Sequence, residues 1–223
     1  MAGVKLLAVE TSSPIFSAAV CDGPDVKAFL QVEGQGRPSS LLTDLMEQVL
    51  GKAGLRLSDL DGFALSIGPG SFTGLRIGVM TLKTMAWALK KPVLPVSSLE
   101  VVARNADPSS RDLLVLVDAR RGNVYSALFS PNGKDSLRRI HPDELLSPEE
   151  ALKKIQRPVR VIGDGLKKYW KQVAELGVER AEQTAPELWV PRADTVVRIA
   201  EEAWPEGQVD DPHTLVPQYF YLP

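Results

Sequence analysis

The 223 residues carry 26 Lys and Arg against 28 Asp and Glu, a net charge of −2, and 44% of them are hydrophobic. That balance belongs to a folded globular chain of one large or two small domains, and it excludes disordered, collagen-like and coiled-coil organisation. A lone cysteine, Cys21, excludes an intramolecular disulfide, and two distant histidines, His141 and His213, offer no metal-ligand spacing.

The apolar runs, such as residues 113–117, are far too short to cross a membrane, and the opening stretch reaches Glu10 without a signal peptide's apolar core. A cytoplasmic location follows as the expectation, with Cys21 a buried, reduced thiol. The net charge lacks the basic excess of a nucleic-acid binder. Charge is nevertheless uneven: Lys153, Lys154, Arg157, Arg160, Lys167, Lys168 and Lys171 crowd one segment.

Taken in chain order, residues 4–10, 16–21 and 26–32 read as three strands of a meander. Leu41, Leu42, Leu45, Met46, Val49 and Leu50 then repeat at helical spacing, between Pro38-Ser39 and the stop signals Gly51 and Gly54. A strand at 63–67 and a helix at 71–89 complete a β-β-β-α-β-α order. The second half repeats it, with strands at 113–118, 124–129 and 137–140, a helix opening at Ser147-Pro148-Glu149-Glu150, a strand at 159–162, and helices at 166–176 and 194–203. The Ser147 opening is a capping box with proline at the first helical position.

The expected fold is therefore α/β: two β-β-β-α-β-α, ribonuclease-H-like units with a cleft between them, the arrangement of the actin/Hsp70-like ATPase fold. Units of 1–105 and 106–211 are expected, followed by a tail at 212–223 too aromatic to remain solvated.

In such ATPases the first hairpin of each half holds phosphates, and an acid from each half positions Mg²⁺. The matching corners are Glu10-Thr11-Ser12-Ser13-Pro14 and Asp118-Ala119-Arg120-Arg121-Gly122. Neither has glycine in the early position where backbone must approach phosphate oxygens. Thr11 and Ser12 could still donate hydroxyl hydrogen bonds, and Glu10 with Asp118 could hold a cation through water, so a degenerate anion or nucleotide site is the expectation.

The loop Gly68-Pro69-Gly70-Ser71-Phe72-Thr73-Gly74 matches neither the P-loop nor the dinucleotide fingerprint. It reads either as a generic anion site or as a tight turn at Gly68 and Gly70 with Ser71 or Thr73 capping the helix. Gly74 and Gly78 share a face, leaving a groove for a strand or a partner helix. Met46, Met80, Met85 and Trp87 are side chains that protein interfaces favour. No Gly-x-Ser-x-Gly elbow or His-Glu-x-x-His is present, which argues against a peptidase.

Leu7-Ala8-Val9-Glu10-Thr11-Ser12, together with Ser66-Ile67-Gly68-Pro69-Gly70-Ser71-Phe72-Thr73-Gly74-Leu75-Arg76-Ile77-Gly78, closely resembles the bacterial TsaB (YeaZ) family of tRNA threonylcarbamoyladenosine biosynthesis. Asp118-Ala119-Arg120-Arg121-Gly122-Asn123-Val124-Tyr125 and Gly163-Asp164-Gly165 extend the resemblance. It implies the duplicated actin-like fold and a non-catalytic subunit that binds and activates TsaD, the transferase, with the ATPase TsaE joining the assembly. It also implies a homodimer when TsaD is absent, tRNA reached through the complex, no tightly bound cofactor, and ATP or ADP at the boundary of the assembled subunits.

Carried over by position, the partner surface is the helices of 39–53 and 71–89, with Leu42, Leu45, Met46, Gly74, Ile77, Gly78, Thr81 and Met85 as contacts. Two departures stand out: Pro38-Ser39 replaces the family's His-Ser, and Tyr221-Leu222-Pro223 replaces its Pro-x-Tyr-Leu-Arg ending. The alternatives from other classes are a small actin-fold ATPase or kinase using Glu10, Thr11 and Asp118, and a peptidase acting on the paralogous subunit.

Overall fold

The structure is a computed structural model, described over residues 3–34, 38–107, 109–133, 136–175, 180–204 and 212–220. The first elements are β1 (Lys5–Glu10), β2 (Ile15–Asp22), β3 (Asp25–Glu33), α1 (Pro38–Ala53), β4 (Gly62–Gly68), α2 (Phe72–Leu89), β5 (Val93–Ser97) and α3 (Ser98–Arg104). Then come β6 (Asp112–Arg120), β7 (Asn123–Pro131), β8 (Leu137–Leu146), α4 (Pro148–Lys153), β9 (Val159–Ile162), α5 (Leu166–Ala174), β10 (Ala181–Gln183) and α6 (Ala193–Ala203).

Two compact units result, Met1–Val101 with Pro191–Tyr219, and Val102–Val190 with Phe220–Pro223. Each holds a five-stranded mixed sheet, in the orders β3-β2-β1-β4-β5 and β10-β9-β6-β7-β8. The antiparallel meander and the parallel crossover meet on the central strand: Val9 of β1 pairs with Ala18 on one side and Leu65 on the other. Because helices cover both faces, β1 reads as a continuous apolar run rather than an alternation.

Leu7 and Val9 face one core with Leu42, Leu45, Met46, Val49 and Leu50 of α1, whose spacing of three and four places them on one face. Leu6 and Ala8 face the other, against Val196, Val197 and Ala200 of α6. Val196 and Val197 are fully buried, and each contributes about 1.5 kcal/mol or more. Alanines at 8, 19 and 64 keep that face of the sheet shallow enough for the helix to seat. The N–H of Ala193 donates to Ser17 Oγ at 3.0 Å, and the Trp204 indole lies over Gly62, where an added Cβ would fall 2.3 Å from it.

This corrects the element count. The sequence order gives the last helix to the second half, whereas α6 covers the first sheet. Two further elements, β5 and α3, occupy a stretch whose prolines read as a connection. Pro95 is tolerated because β5 is an edge strand, where a missing N–H removes no ladder bond. Pro142 sits likewise in the edge strand β8, which runs on to Leu146.

The capping box of α4 forms as read: Glu150 N–H donates to Ser147 Oγ at 3.2 Å, and Ser147 N–H donates to the Glu150 carboxylate at 2.9 Å. The stretch 212–220 lies back on its neighbours. Leu215 is buried in the first core, Gln218 N–H donates to Ile67 O at 2.7 Å, and Lys83 Nζ donates to the carbonyls of His213 and Leu215. Pro108, Leu176 and Tyr221-Leu222-Pro223, on which expectations were placed, lie outside the described residues. Among the described residues no helix is long and apolar enough to cross a membrane.

Candidate functional site

The first corner is built by β1 ending in Glu10. Its side chain is fully buried, and its carboxylate accepts the Ser12 N–H at 2.5 Å and the Ser66 hydroxyl. Burial raises its pKa above the ordinary carboxylate value, while those hydrogen bonds act in the opposite direction. Thr11 and Ser12 are buried as well, because the start of α2 is pressed against them. A Cβ at Gly70 would fall 2.4 Å from Ser12 O, at Gly74 2.0 Å from Thr11 O, and at Gly78 2.3 Å from Thr11 Oγ1. Ser71 N–H donates to Ser12 O at 2.7 Å, and Ser71 Oγ caps α2 by accepting the Gly74 N–H at 3.3 Å. Thr73 is exposed, and Gly68, at φ 115, turns the chain where a side chain would meet Gln218 O.

The glycine-rich loop therefore acts as the turn and cap, and its glycines let helix meet hairpin. The corner does not fit a nucleotide-bound cation, since both carboxylate oxygens of Glu10 are engaged and the hydroxyls beside it are enclosed. Among the described residues no group of three His, Cys, Asp or Glu side chains could hold a metal ion.

Glu10 yields a pH prediction. A folded-state pKa raised above the unfolded one means the native chain holds the proton more tightly, so Glu10 subtracts stability as pH rises above the unfolded value. Glu10→Gln should remove that contribution, so the variant's melting temperature relative to the parent's should increase as pH rises above about 4.5. Equal slopes in the two proteins would contradict it.

The second corner stands in the other unit. Asp118 accepts the Arg120 N–H at 3.0 Å, and its own N–H donates to Asp164 Oδ1 at 3.0 Å. Arg120 and Lys168 approach its carboxylate at 3.9 and 3.7 Å. Burial also raises the pKa of Asp164. Glu10 and Asp118 thus belong to separate units, each with its own local partners.

The remaining feature is the α1–α2 face of the first unit. Leu42, Leu45 and Met46 are at most 5% exposed and sit in the core, and Gly74 and Gly78 are buried on Thr11. Of the eight residues expected to contact a partner, these five are occupied internally, although Met46 also lines a groove; Ile77, Thr81 and Met85 are partly exposed. The most exposed large apolar side chains of α2 are instead Phe72, Met80 and Trp87, at 56, 59 and 62% exposure, Phe72 with its ring against Tyr219. Between the helices runs a groove of about 870 Å³, lined among others by Met46, Leu50, Leu57, Met80, Thr81 and Met85. Helical spacing identified these helices, but it could not separate core from surface; methionine and tryptophan content was the signal that pointed to Met80, Met85 and Trp87.

The two mixed-sheet units define a protein of the actin/Hsp70-like ATPase fold whose first corner is closed by its own helix. Component A of (R)-2-hydroxyglutaryl-CoA dehydratase from Acidaminococcus fermentans shares this fold, at a TM-score of 0.52 and 11% identity over 89% of this chain and 98% of that one. A family model described as TsaD, tRNA N6-adenosine threonylcarbamoyltransferase, matches residues 37–181. The tRNA threonylcarbamoyladenosine biosynthesis protein TsaB of Bacillus subtilis is 31% identical over 98% of this chain and 95% of its own length. Its Escherichia coli counterpart is 26% identical over 92 and 89%. YeaZ from Pseudomonas aeruginosa superposes at a TM-score of 0.84, 26% identical, covering 97% of this chain and 99% of that one. The chain belongs to the TsaB family of tRNA threonylcarbamoyladenosine biosynthesis.

Proposed function

We propose that the chain is a non-catalytic scaffold subunit that docks TsaD through the α1–α2 face and holds it in the conformation that modifies tRNA. The observation that carries this reading is the row of exposed apolar side chains Met80 and Trp87 on α2, the first of which lines an open apolar groove. An apolar row and groove of that kind mark an interaction surface. Its contribution is conformational, biasing a partner's equilibrium through contacts made in one state. TsaE joins the larger assembly, and a second copy of the chain covers the same face when TsaD is absent. No cofactor is held by this chain itself, and nucleotide, where present, sits at the boundary of the assembled subunits.

The test is size-exclusion chromatography with light scattering on the chain, on TsaD from the same source, and on their mixture. A homodimer converting to a mixed complex is expected. No mixed complex at concentrations well above micromolar would overturn the docking reading. The kinase or ATPase alternative requires ATP turnover by the chain alone that Glu10→Gln abolishes, and the enclosure of Glu10 opposes it.

A further inference from the structure

Charge is segregated between the units in a way the net value hides. Residues 102–190 hold 15 Lys and Arg against 13 Asp and Glu, and the rest of the chain holds 11 against 15. Within the basic unit many cations are consumed locally: Arg157 binds Asp112, Lys154 binds Glu144, Arg111 binds Glu182, and Arg160 donates to Asp107 O.

A second group is displayed. Lys167, Lys168 and Lys171 are exposed on one side of α5, because Leu166, Tyr169 and Val173 bury the other. The β6–β7 turn lies against the start of that helix, joined through the Asp118 N–H on Asp164. Arg120 and Lys168 flank the Asp118 carboxylate, whose side chain is 18% exposed, and Asp164, more deeply covered, interacts with Arg120 and Lys167, so the acids within the face lie beneath its cations.

Arg120 and Arg121 are both exposed and take left-handed backbone, at φ 66 and 51, ahead of Gly122 at φ 85. Glycine or asparagine takes that conformation more readily, so the turn carries two guanidinium groups against local preference.

We propose that this face, Arg120, Arg121, Lys167, Lys168 and Lys171, contacts the phosphate backbone of tRNA directly. The inference rests on the chain acting in a tRNA-modifying assembly. Guanidinium and ammonium groups in a row suit phosphate oxygens, and such contacts position a nucleic acid rather than read its sequence.

The test measures binding of an unmodified tRNA transcript by fluorescence anisotropy, with the chain alone and mixed with TsaD, between about 50 and 200 mM salt. Lys167→Gln/Lys171→Gln and Arg120→Gly/Arg121→Gly should each weaken binding about tenfold and reduce the slope of log K against log salt by about two. The double glycine variant should melt at or above the parent temperature, since glycine accepts the left-handed turn, so lost binding cannot be misfolding. TsaD binding should be unchanged in both. Unaltered tRNA affinity and slope, with or without TsaD, would overturn the proposal. So would loss of TsaD binding with tRNA binding intact, which would make the face a protein contact. Because tRNA is read on the chain alone as well, failure of TsaD docking and failure of this inference are distinguishable.

Discussion

Gly74→Ala should destabilise the first unit by about 2 kcal/mol, lowering the melting temperature by about 4–8 °C. Alanine would favour a helix interior by about 1 kcal/mol over glycine, and that gain is outweighed. The new Cβ would fall 2.0 Å from the Thr11 backbone carbonyl, which is held in the β1–β2 hairpin and cannot rotate away. Overpacking against backbone lies at the upper end of the usual range, about 3 kcal/mol. Gly78→Ala should act in the same direction but less, because its neighbour is the Thr11 hydroxyl, which can turn. Gly51→Ala is the control: nothing lies within 4 Å of its Cβ position, so it should stabilise by up to about 1 kcal/mol. Thermal melts of the three decide the matter. An unchanged or raised melting temperature for Gly74→Ala would show that α2 does not rest on the hairpin.

The second large effect is expected at Met80, which lies on the groove and is 59% exposed. Met80→Asp should leave the melting temperature nearly unchanged and weaken TsaD binding at least a hundredfold. Loss of an interface anchor together with burial of an unpaired carboxylate amounts to about 3 kcal/mol. Met80→Leu should retain binding, since shape and polarity are kept. Calorimetric titration with TsaD provides the comparison, and equal affinities for Met80→Asp and the parent would remove the groove from the docking surface.

Much of this architecture was legible because periodicity is a local property. The β1–β2–β3 meander, α1, α2 and the Ser147 capping box all announce themselves within a few residues of chain. What periodicity reports is that a face is buried, never by what. Hence the Val196-Val197-Ala200 face of α6 gave no sign that its sheet was the first one, nearly two hundred residues upstream. For the same reason Leu42, Leu45 and Met46 read equally well as interface and as core. Gly74 and Gly78 did signal a close approach, but the visitor is Thr11 of the same unit, a contact set by tertiary placement of the hairpin. Strand β10, three residues long, carries too little pattern to detect.

The first unit is assembled from two separated stretches of chain, with α6 and Leu215 completing cores begun by β1. During synthesis this imposes an order. The second sheet, drawn from a continuous stretch, can close as soon as it leaves the ribosome, whereas Leu6, Ala8, Ala19 and Ala64 must wait uncovered until residues 193–203 have emerged. The nascent chain thus passes through an interval in which its later half is folded and its earlier half still presents a bare apolar sheet, the form in which chaperones would meet it.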